Sequence, residues 1–150
     1  MHLGRGPKEP VDVKIEQFYS VLLPLLKERI FREGDWRLLG CHPAWQGNPS
    51  SDAFIAFAWT GADNERRLVV VNYSEHYSQC YVSLPWPDLE RKIWSLRDEM
   101  SPAIYDRDGQ DLSSHGLFLD IAPWAYHVFD VQAVLVRDEA RESPALATRR

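Results

Sequence analysis

Asp106, Asp108 and Asp111 crowd around Gly109, and His115 follows a few residues later. A glycosidase needs two carboxylates held across a cleft, one of them kept protonated, so an enzyme built from Asp106, Asp108 and His115 is one reading of this stretch. Calcium ligation is another, but an EF-hand loop needs alternating oxygen ligands ending in a bidentate Glu, and that pattern is absent. The same Asp106-Arg107-Asp108-Gly109 run is also plain turn chemistry, suited to an exposed hairpin. His42, His76, His115 and His127 are scattered without a His-x-x-x-His pair, which argues against zinc. His127 lies among aromatics, where a satisfied core or edge histidine is the commoner fate. Ser50, Ser51, Ser113 and Ser114 stand in polar clusters and lack the Gly-x-Ser-x-Gly elbow of a hydrolase nucleophile. No glycine-rich phosphate loop leads into a helix. The expectation is a chain with no metal, no cofactor and no catalysis of its own.

Cys41 and Cys80 are far apart in sequence, and neither has a second Cys two or three residues away, so a zinc knuckle or a redox Cys-x-x-Cys pair is unsupported. Two buried thiols are expected, with a disulfide between them as the alternative. The six tryptophans have two readings: core packing in a β domain, or flat faces that stack on sugar rings or bases. Trp45, Trp86 and Trp124 fall in loops, which escape the core, and are the candidates for carbohydrate stacking. Trp59 and Trp94 alternate with apolar neighbours along strands and should face inward.

The elements that must position these residues follow from charge and periodicity. A net charge of -5 disfavours a nucleic-acid backbone or an anionic membrane as partner. No window approaches the ~18 apolar residues needed to span a bilayer, and residues 1–10 carry no export-type apolar stretch, so the expected compartment is the cytoplasm. Asp12 offers an N-cap, and Ile15, Phe18, Tyr19, Leu22, Leu25, Leu26, Ile30 and Phe31 follow the 3.6-residue period of an amphipathic helix. Pro24 should kink or divide that helix, and Gly34 should end it. Its apolar residues exceed what a narrow stripe needs, so it either docks on the domain that follows or drives self-association through Leu22, Leu26 and Ile30.

After Gly34 the period changes to two. Strands are predicted at 36–39, 53–59, 67–73, 79–84, 93–98, 116–121 and 125–131, with a weaker one near 103–105. Seven to eight short strands with no helix between them indicate a mainly β, antiparallel sandwich or barrel. Gly116 to Asp130 reads as two strands joined across an Ala122-Pro123-Trp124 corner, a hairpin that closes the domain. The tail, 136–150, is polar and aperiodic and should be flexible.

Several blocks in order resemble the end of α-amylase family glycoside hydrolases. Arg32-Glu33-Gly34-Asp35-Trp36-Arg37-Leu38-Leu39 is similar to the junction where the last barrel helix runs into the C-terminal β domain. Trp45-Gln46-Gly47-Asn48-Pro49-Ser50, Leu68-Val69-Val70-Val71-Asn72-Tyr73-Ser74, Trp94-Ser95-Leu96-Arg97-Asp98 and Tyr105-Asp106-Arg107-Asp108-Gly109 look like that domain in bacterial members. The resemblance implies that 1–34 is a lead-in and barrel-type helix and that 35–135 is a Greek-key β-sandwich packed on a catalytic barrel. The family's catalytic carboxylates lie on barrel strands, and no part of those strands is among these residues, so no catalytic residue carries over. Two functions are then expected: a noncatalytic domain that caps an amylase-type barrel, in one chain or as a subunit, and a small module that stacks α-glucan on Trp45, Trp86 and Trp124.

Overall fold

Asp12 opens the first helix as its type predicts. In the computed structural model, which describes residues 10–134, its carboxylate accepts from the backbone amides of Lys14 and Ile15 at 2.9 and 3.2 Å. Two donors that a helix start leaves unpaired are thereby satisfied. Helix α1 spans Val13–Leu26 and α2 spans Arg29–Glu33. The expected helix is divided at Lys27 and Glu28, three residues past Pro24, while α1 itself runs unbroken through the turn that the proline crowds. Gly34 follows α2 in an extended conformation, not a left-handed one. It is needed for room, because a Cβ there would lie 2.5 Å from the Ile30 carbonyl oxygen.

The rest of the described chain is mainly β. Its strands are β1 (Asp35–Leu38), β2 (Cys41–Pro43), β3 (Phe54–Thr60), β4 (Arg66–Asn72), β5 (Ser78–Val82), β6 (Ile93–Asp98), β7 (Ile104–Asp108), β8 (Leu117–Ile121) and β9 (Tyr126–Val134). They form a six-stranded antiparallel sheet in the order β1-β3-β4-β9-β6-β7 and a three-stranded antiparallel sheet in the order β2-β5-β8. Alternate residues of both sheets, among them Ala56, Leu68, Val70, Val82, Leu96, Leu119 and Phe129, make one buried cluster. The period of two read in the sequence is the alternation between that core and the outer faces.

Three expectations are corrected here. The strands number nine among the described residues, not seven to eight, because β2 has three residues and is too short to show a period. A third helix, α3 (Gly109–Ser114), replaces the expected hairpin at Asp106 to Gly109. Asp108 accepts from the amides of Gln110 and Asp111 at 2.8 and 3.2 Å and so caps α3, which is a use that turn-forming residues share with helix starts. The stretch 116–130 is not a hairpin. β8 pairs with β5 in the small sheet, whereas β9 pairs with β4 and β6 in the large one, so the corner carries the chain across the core. Trp124 makes that turn at φ 57°, a left-handed conformation that bulky residues rarely adopt. Asn72, wholly buried, holds the corner by donating to the Ile121 and Ala122 carbonyls, both at 3.0 Å.

α1 and α2 lie on the outer face of the six-stranded sheet. Phe18 meets Tyr126 edge-on with ring centres 5.6 Å apart, Phe31 meets Trp59 at 4.9 Å, and Glu28 pairs with Arg67 at 2.9 Å. Leu25 and Ile30 are buried in this contact, with Ile30 only 3% exposed. Ile30 therefore drops out of the self-association seam expected of it, and Leu22 is half-buried, while Leu26 remains exposed. No helix among the described residues is long and apolar enough to cross a membrane. The expected flexible tail 136–150 and most of the lead-in lie outside the described residues.

Candidate functional site

Of the three loop tryptophans, the structure leaves two in solvent. Trp45 follows β2 and is 57% exposed, and Trp124 at the β8–β9 corner is 58% exposed. Trp86 is 5% exposed and belongs to the core, so the expectation that it offers a stacking face is corrected. The cause lies on β4. Arg66 occupies an inward position of that strand, in line with Leu68 and Val70, and a charge there needs partners. Its guanidinium lies 5.2 Å from the Trp86 ring centre and 4.5 Å from that of Trp94, and it pairs with Asp88 at 2.6 Å. The Trp86 indole N–H donates to Thr60 Oγ1 at 2.9 Å, and that of Trp94 donates to the Leu89 carbonyl at 2.8 Å. The Arg66 Nε and Nη1 have no hydrogen-bond acceptor, and the facing π clouds take that place. Trp86 is thus half of a box for an inward arginine, a place that a loop tryptophan can take when another strand carries a buried cation.

Trp124 meets the exposed Tyr73 at a centroid distance of 5.4 Å and an interplanar angle of 88°. Among the described residues, Trp86 lines the groove beside α3, and neither Trp45 nor Trp124 joins it there. The structure therefore does not assemble the expected row of three stacking rings.

The acidic constellation is likewise dispersed. Asp108 is engaged as the α3 cap, while His115 closes the other end of that helix, 4.0 Å from Asp111. Among the described residues no group of three or more His, Cys, Asp or Glu side chains is placed to hold a metal ion. His127 is satisfied, as its aromatic neighbours suggested: Nδ1 lies 2.9 Å from Asp98 Oδ2, and the ring stacks on Phe129 at 4.9 Å. Burial acts most strongly on Asp98 and opposes its ionisation. Hydrogen bonds from Ser101, His127 and the amides of Val128 and Met100 together outweigh burial, so its pKa is lowered. The Ser101 hydroxyl donates to Asp98 at 2.6 Å and not to the imidazole.

For two further features the sequence named the residues but not their arrangement. Cys41 and Cys80 stand on adjacent strands as free thiols, and each acts on the other, lowering the Cys41 pKa and raising that of Cys80. The register places them diagonally, Cys41 opposite Val82 and Cys80 opposite Pro43, a pairing that no sequence spacing reveals. The second feature is the outer surface of α1 and β1. Ile15, Tyr19, Leu23 and Leu26, spaced by four, four and three residues, share one side of α1 and are exposed. Trp36 and Leu38 are exposed on the edge strand β1. The surplus of leucines was the sequence signal for this surface, and docking on the sheet consumes only part of it. The chain matches no protein-family model and no curated protein in sequence.

Proposed function

We propose that this chain is a noncatalytic β domain of the kind that ends α-amylase-type glycoside hydrolases, a Greek-key sandwich whose role is to pack against and stabilise a catalytic barrel. The strand order supports the Greek-key part, since β9 returns from the small sheet to lie between β4 and β6. The observation that carries the role is the apolar outer surface. α1 turns Leu25 toward its own sheet yet leaves Ile15, Tyr19, Leu23 and Leu26 in water, and β1 adds Trp36 and Leu38. Each large apolar side chain withdrawn from water contributes about 1.5–3 kcal/mol, so such a surface is a liability unless another folded body covers it. The paired free thiols fit a reducing compartment, the cytoplasm.

The test is to mix the chain with an amylase-type barrel stripped of its own β domain. The expected result is a one-to-one complex by light scattering and a raised melting temperature for the barrel. Leu23→Asp with Leu26→Asp should abolish the complex while leaving the melting of this chain unchanged. Two species that stay apart, or a homodimer that forms instead, would overturn the proposal.

A second reading, a module that binds α-glucan, is favoured by one observation. Trp45 and Trp124 keep more than half of their surface in solvent, unlike the buried Trp86.

A further inference from the structure

A cavity of about 700 Å³ forms a groove between the β2–β5 pair and α3. Its volume falls within the range of about 300–1,000 Å³ typical of small-molecule sites. Charged residues make up 26% of this chain, yet among the described residues no Asp, Glu, Lys or Arg lines the groove. Its polar groups are instead hydroxyls and imidazoles: Ser83 and His42 on one side, Tyr81 between, and Ser113 and His115 on the α3 side. Phosphates and carboxylates, which are gripped by fixed positive charge, find none on these walls.

The geometry favours a ligand rich in hydroxyls. His42 Nε2 lies 3.0 Å from Ser83 Oγ. In either tautomer this pair leaves one free donor or lone pair on the serine, which suits a group that both gives and takes a hydrogen bond. Tyr81 is half-buried on the outer face of β5 and has ring neighbours on both sides. Phe118 lies at 5.4 Å and 56°, and His115 at 6.5 Å and 45°. The three tilted rings form a curved aromatic strip, and the C–H face of a pyranose can lie on such a strip while its equatorial hydroxyls reach the rim. Charge returns only past His115, at Asp111 and Arg107.

We propose that this groove binds a neutral saccharide, with one pyranose ring over Tyr81 and its hydroxyls shared between the His42–Ser83 pair and His115. The proposal rests on the saccharide reading above and gives it a place distinct from Trp124.

The experiment is a nuclear magnetic resonance titration of the full chain with maltoheptaose, cellohexaose and xylohexaose, repeated with glucose and with glucose 6-phosphate. The expected result is saturable shifts at His42, Tyr81, Ser83 and His115 with at least one oligosaccharide. Tyr81→Ala should weaken that binding about tenfold, Tyr81→Phe should keep most of it, and Trp124→Ala should leave it unchanged. If Tyr81→Ala lowers the melting temperature, the exposed His115→Ala serves in its place and should still weaken binding. No saturable shift with any oligosaccharide would end the saccharide reading together with this site. Shifts confined to Trp124 and Tyr73, unaffected by Tyr81→Ala, would keep the reading and overturn the groove. Tighter binding of glucose 6-phosphate than of glucose would overturn the neutral-ligand assignment.

Discussion

Asp98 shows how a single buried group is made compatible with a core. It sits at the end of β6 and receives hydrogen bonds from Ser101 at 2.6 Å, from His127 at 2.9 Å and from the Val128 amide at 3.1 Å, so its charge is solvated by protein. Its pKa is lowered on folding, which means that the folded state favours the ionised form. That contribution to stability is fully present above the unfolded carboxylate value of about 3.9 and is lost as the pH falls through the lower folded value. Asp98→Asn should therefore cost about 2 kcal/mol near neutral pH, and the gap between wild type and variant should close in acid below pH ~4. Urea titrations across that range check it, and a gap that stays constant with pH would contradict the assignment. His127 was legible in the sequence as a satisfied histidine because its neighbours are aromatic. Asp98 as its partner was not, since 29 residues separate them.

At the scale of elements, α1 is joined to the large sheet by few contacts, Leu25 and the Phe18–Tyr126 pair, with the ion pair from Glu28 to Arg67 just beyond its end. Arg67 in turn pairs with Asp130, which also binds Arg97 at 3.3 Å, so the latch extends across three strands. Helices held this way open without global unfolding. Leu25→Ala is expected to accelerate amide exchange throughout 13–26 while changing the urea midpoint of the sheets little. The lost side chain is worth roughly 2 kcal/mol to docking, not to the core. Exchange that accelerates equally in β4 and β9 would show instead that helix and sheets form one cooperative unit. The start of α1 was readable because a cap is a local event between Asp12 and its next residues. The division of the helix was foreshadowed by Pro24. The edge strand β2 was not readable, because its three residues pair with β5 about forty positions away.

Across the whole molecule, stability should be graded from the middle of the large sheet outward. β4 and β9 are paired on both sides, and β9 is buried on both faces from Val128 to Val131. Amides of Leu68, Val70 and Phe129 should exchange only through global unfolding, whereas those of β1 and α1 exchange through local opening. The thiols report the same gradient: Cys41, half-buried and with its pKa lowered, should react with a thiol reagent in the native protein, and Cys80, wholly buried, only after unfolding. Equal labelling of both thiols in native buffer would contradict the structure.

The chain's local order alone determined where α1 begins, where the period changes from helix to strand, and that the body is mainly β and antiparallel, since each depends on residues a few positions apart. Tertiary structure alone decided that 116–130 spans two sheets, that Trp86 encloses Arg66, and that Tyr81 and His115 face one groove. Apolar alternation tells a strand which face to bury, but the same pattern is satisfied by a neighbour in sequence or by a strand across the core. Only the assembled packing chooses between them.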